Sequence, residues 1–166
     1  MIRSRVVAVA LVAALAAFAL AAPVTTPATA HEERVGAITI VHPRSRPVAQ
    51  GQNGVIYLDM RNEGEADDRL LAVDTPLATK VELHESTMED GIHRMEKVES
   101  IALPAGATVA LAPGGLHVML IGLKFALFAE ETIPVTLSFE RAGDVTVSVS
   151  VEAGMGHGDE SGHGDH

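Results

Sequence analysis

Ile133-Pro-Val-Thr-Leu-Ser-Phe139, followed after a short break by Val145-Thr-Val-Ser-Val-Ser-Val151, alternates apolar and polar residues through two consecutive segments. Successive side chains of a strand point to opposite faces, so a period of two gathers the apolar residues of each segment on one buried face. The break holds Gly143, and a glycine-containing loop between two such segments closes an antiparallel hairpin. The same pattern runs upstream. Gly36 to Val41, Gly54 to Arg61, Arg69 to Val73, Thr79 to His84, His93 to Val98, Thr108 to Leu111 and His117 to Ile121 read as strands. Pro43, Pro47, Gly51, Gly64, Pro76, Gly91, Pro104, Gly106, Pro113-Gly114-Gly115 and Gly122 punctuate them. Short, evenly spaced strands without a helical repeat predict an all-β sandwich of about seven or more strands. Phe125 to Ala129 reads as a helical turn. Aromatic residues are only 3% of the chain, so Val, Leu and Ala must fill the core.

The two ends differ from this middle. Arg3 and Arg5, the apolar run Val6 to Ala22, and Ala28-Thr29-Ala30 have the form of a cleaved export signal over residues 1–30. The Pro/Thr-rich stretch Pro23 to Thr29 fits cleavage better than an uncleaved anchor. At the other end, residues 154–166 read GMGHGDESGHGDH, without apolar periodicity. Such a segment buries too little apolar surface to offset its ordering entropy and is expected to be a disordered tail. Met155, His157, His163 and His166 give it a metal-binding composition. Cleavage after Ala30 would expose His31, whose amine and imidazole together can chelate Cu(II).

Composition excludes several functions. Loss of residues 1–30 takes the formal charge from −10 to −12 and leaves 136 residues, enough for one domain with its own core. An acidic domain does not bind nucleic acid through phosphates; it attracts cations and basic surfaces. The absence of cysteine fits an exported, oxidising location and excludes thiolate chemistry, a blue-copper ligand set and a cysteine-linked lipid. No later stretch is long and apolar enough to span a membrane. The export signal predicts a periplasmic location, and a monomer is expected.

Two histidine/methionine pairs carry the chemistry: His84 with Met95, and His117 with Met119. Imidazole and thioether both bind copper, and soft sulfur favours Cu(I). Four neutral donors leave a monovalent ion with a single net positive charge, which suits holding and release. Asp90-Gly91 signals a type I′ turn, because both central residues need positive φ. A tight hairpin there sets Glu89 opposite Ile92, Met88 opposite His93 and Ser86 opposite Met95. His84 and Met95 then become diagonal neighbours on one face, whereas a one-residue slip would turn Met95 away. His117 and Met119, two apart, share a face from which Val118 and Leu120 turn away. A strand meeting the hairpin completes a four-donor site. Met88 and His93 are auxiliary candidates, with plain exposed positions as the simpler reading. His42, before Pro43, reads as structural.

The spacing His84-x10-Met95-x21-His117-x-Met119 resembles the signature of the periplasmic copper chaperones called PCu(A)C. Asp90-Gly91, Pro113 to Leu120, Gly122-Leu-Lys124 and Leu137 to Gly143 are similar too, and the resemblance runs from about Gly36 to Val151. It implies a cupredoxin-like, Ig-like antiparallel β-sandwich with Greek-key connections over residues 31–153, binding Cu(I) through His84, Met95, His117 and Met119. It also implies copper delivery toward a haem-copper oxidase, as in cytochrome c oxidase assembly, by way of an oxidase subunit or another copper chaperone. Some members carry a His/Met-rich C-terminal extension that takes Cu(II), and residues 154–166 look like one. Arg44 stands where many members have tryptophan. The same donors without a delivery partner would serve copper storage or tolerance. No nucleophile–base arrangement points to an enzyme, and methionine ligands disfavour zinc.

Overall fold

The computed structural model describes residues 32–154. The expected leader and tail, and with them His31, Met155, His157, His163 and His166, lie outside the described residues. Within them all regular structure is strand: β1 (Glu32–Val35), β2 (Ile38–Ser45), β3 (Gly54–Asn62), β4 (Asp68–Asp74), β5 (Ala78–Glu89), β6 (Ile92–Val98), β7 (Ile101–Leu103), β8 (Thr108–Leu111), β9 (Leu116–Leu123), β10 (Thr132–Phe139) and β11 (Gly143–Val151). The expected strands form, with their ends moved by a few residues. β1 and β7 are additions, too short to show a period. The helical turn expected at Phe125 to Ala129 does not form. Leu127 instead exchanges backbone hydrogen bonds with Val48, at 3.1 and 2.8 Å, so these groups pair across the fold rather than along the chain.

The strands follow one hydrogen-bonded path, β6-β5-β9-β3-β2-β11-β10-β4-β7, with β1 on β2 and β8 on β3. Neighbours are antiparallel except β11 and β2, which run parallel. The path rolls over on itself: β4 meets β5, and β7 reaches β3. Alternate residues of both halves line one core, including Ile40, Ile56, Leu58, Val118, Leu120, Leu137 and Val149, all fully buried. Each such side chain contributes roughly 1.5–3 kcal/mol on burial. Phe139 is the one buried phenylalanine among the described residues, while Phe125 and Phe128 are exposed. Aliphatic packing fills the interior.

Two buried polar side chains fix the loops at one end. Asn62 donates through Nδ2 to the carbonyls of Ala66 and Leu103, each at 2.9 Å, and accepts from the Gly64 amide at 3.0 Å. A Cβ at Gly64 would stand 2.9 Å from that of Ala37, so the close approach needs glycine there. Asp68 accepts from the amides of Arg69, Arg141 and Ala142 at 2.8–2.9 Å. Burial pushes its carboxyl up, but those three amides and the Arg141 charge outweigh this and hold it below the ordinary 3.8.

Candidate metal centre

The β5–β6 hairpin turns at Asp90 (φ 51°) and Gly91 (φ 77°), the two positive values that a type I′ turn requires. The register follows: Glu89 opposite Ile92, Met88 opposite His93, Ser86 opposite Met95, His84 opposite Lys97. On its other side β5 pairs with β9, which sets His84 opposite His117 and Glu82 opposite Met119. His84 therefore has His117 beside it and a methionine diagonal to it on each flank. Val118 and Leu120 turn into the core. Two imidazoles and two thioethers thus share one face of three adjacent strands, spaced about 4.8 Å apart.

The ring centroids of His84 and His117 lie 5.8 Å apart, tilted by 58°. His117 is 4% exposed and Met95 is 53% exposed, with His84 and Met119 between them. The cluster therefore grades from a buried imidazole to an exposed thioether. Each ring has its tautomer set by a partner that only accepts. His84 Nε2–H donates to Glu82 Oε2 at 3.0 Å, and His117 Nδ1–H donates to the Gly115 carbonyl at 2.9 Å. His117 Nε2 and His84 Nδ1 are then the lone-pair nitrogens. Among the described residues, His84 Nδ1 is buried and finds no hydrogen-bond partner. A buried, unpaired nitrogen lone pair beside two thioethers fits a soft cation.

Glu82 was not anticipated, although it lies two residues before His84 on the same face. Lys80 at 2.6 Å, then His84, then Lys97 at 3.1 Å, hold its carboxyl at about 2 against the upward push of burial, so it remains ionised. A carboxylate behind a histidine orients the ring and makes it a better donor. Tyr57 on β3 is a second unanticipated neighbour, its ring 6.5 Å from that of His117. The Arg44 guanidinium, the departure from the family pattern noted in the sequence, lies 6.0 Å from the Tyr57 centroid. His42 pairs with Glu152 at 3.0 Å, away from the cluster. Met88 and His93 lie on the donor face, farther out on the hairpin. Among the described residues no group of three or more His, Cys, Asp or Glu side chains is placed to hold an ion, and on this face the two thioethers are the donors beside the imidazoles.

A rolled all-β domain presenting two imidazoles and two thioethers on one sheet face has the cupredoxin-like architecture of PCuAC domains. The chain belongs to the LpqE-like family: residues 38–151 match the model described as "Putative lipoprotein LpqE-like". It is 32% identical to the copper-bound PCuAC domain from PmoF2, with a TM-score of 0.64 over 74% of this chain and 98% of that one. The solution structure of Cu(I)-bound DR1885 from Deinococcus radiodurans gives 28% identity and a TM-score of 0.59, over 77% and 85%. Among curated proteins, it is 37% identical over 95 residues to the Leifsonia xyli protein described as "Putative lipoprotein Lxx21020", 57% of either chain. It is 28% identical to RP573 of Rickettsia prowazekii over 69% of this chain and 66% of that one. The chain spans less than two thirds of the length of these two curated relatives. Among the described residues no helix is long and apolar enough to cross a membrane.

Proposed function

We propose that this protein is an exported copper chaperone that carries Cu(I) on His84, Met95, His117 and Met119 and passes it to a haem-copper oxidase assembly pathway. The observation that carries the reading is the unpaired, buried His84 Nδ1 flanked by His117 and two thioethers. The copper-bound relatives support the choice of ion. Copper is the cargo. Neutral donors bind it without a trapping charge, and the exposed Met95 is where a partner's ligand can begin exchange. Residues 1–30 act as a cleaved leader for the periplasm and 31–153 as the copper domain. The 154–166 tail collects Cu(II) through Met155, His157, His163 and His166.

Replacing Glu82 by Gln is expected to weaken Cu(I) binding about 10–100-fold, because the His84 ring loses its charged anchor. Competition against a Cu(I) chelator measures this, and an unchanged affinity would remove Glu82 from the site. In cells, deleting the gene is expected to lower oxidase activity under copper limitation and to be rescued by added copper. Copper sensitivity with normal oxidase activity would instead favour storage.

A further inference from the structure

We propose that Met88 and His93, with Met95 as a shared ligand, form an outer Cu(I) station at the tip of the β5–β6 hairpin, through which the ion enters and leaves the four-residue site. This rests on the proposed inner site. Met88 and His93 are direct cross-strand partners, and Ser86 and Met95 form the next rung on the same face. Counting from the type I′ turn, both rungs are non-hydrogen-bonded pairs, whose Cα atoms approach to about 4.5 Å and whose side chains lie closest. The rungs are about 7 Å apart along the strand, within reach of a methionine swinging between them. The small Ser86 leaves Met95 room to do so.

The chemistry of the tip selects a soft ion. Its donor face presents Ser86, Met88, His93 and Met95 with no carboxylate, while Glu89 pairs with Arg94 at 3.3 Å on the opposite face. Met88 is 63% exposed and Met95 53%, an unusual display of thioethers in an acidic domain. β9 supports β5 only as far as Glu85, so from Thr87 onward the hairpin's sole strand partner is itself. Three donors hold Cu(I) more weakly than four, and handing over Met95 commits the ion to one station or the other. Transfer is then a sequence of ligand exchanges with the metal never free.

The test uses the full mature chain under anaerobic conditions, with Cu(I) as the probe and the methionine ε-methyl and histidine ring NMR signals as the readout. The first equivalent is expected to shift Met95 and Met119; excess Cu(I) is expected to draw Met95 onto the outer station, shifting its signal a second time together with those of Met88 and His93. In M88L/H93Q the inner affinity should stay within about twofold, while the rate of Cu(I) release to a chelator falls about tenfold. Met88 and His93 signals that stay still at excess Cu(I), or an unchanged release rate in M88L/H93Q, would overturn the outer station. Failure of the inner site reads differently, as an absent Met119 shift at the first equivalent.

Discussion

Replacing Met95 and Met119 together by alanine is expected to abolish tight Cu(I) binding while leaving the domain folded. The two thioethers flank His84 diagonally from opposite strands, and no third soft donor on the inner part of the face can substitute. Loss of a supporting partner costs roughly 10–100-fold in metal affinity, and loss of two ligands should exceed that. The remaining imidazoles would bind a monovalent ion weakly. Met95 is exposed and Met119 faces away from the core, so the circular dichroism and melting temperature should change little. Competition with a Cu(I) chelator is the measurement. A double mutant that retains the parent affinity would mean that the ion sits elsewhere.

The second large effect concerns stability. Asp68→Ala strips three backbone amides of their acceptor at the junction of β4 with the β10–β11 turn. A buried donor left unsatisfied costs about 1–3 kcal/mol; partial access to water keeps the total near ~3 kcal/mol. That corresponds to a fall of roughly 10 °C in melting temperature. The pH dependence has a definite sign. The carboxyl titrates below 3.8 in the folded protein, so its contribution is fully present above that value and is lost as pH falls through the folded value. Urea unfolding should therefore show the wild-type advantage over Asp68→Ala at pH 7 shrinking in strong acid. An advantage that is absent at pH 7, or that grows in acid, would show that Asp68 does not pin this junction.

Local signals made much of the fold legible. Alternation in Ile133 to Phe139 and Val145 to Val151 is a direct consequence of strand geometry, and those segments pair as β10 and β11. Asp90-Gly91 set the β5–β6 register because few residue pairs tolerate two positive φ values. What escaped was non-local. That the His117/Met119 strand meets the hairpin was expected, but the register that sets His84 opposite His117 was not legible, because β9 docks on β5 across more than thirty residues with no turn chemistry to fix it. Glu82 was on the right face by simple counting, yet its importance shows only when Lys80, Lys97 and the His84 ring surround it. Tyr57 and Arg44 join the neighbourhood through β3 and β2. The false helical turn at Phe125 to Ala129 followed local composition, whereas the Val48–Leu127 bridge decided the backbone. The four residues of the proposed site were nameable from sequence, and the structure sets them on one face; the carboxylate and ring beside them were not nameable.

X-ray absorption on the Cu(I)-loaded protein lacking residues 154–166 addresses the metal centre most directly, because it counts neighbouring atoms by element. Two sulfur and two nitrogen neighbours are the result predicted for His84, Met95, His117 and Met119 acting together. A copper shell made only of nitrogen and oxygen would contradict it.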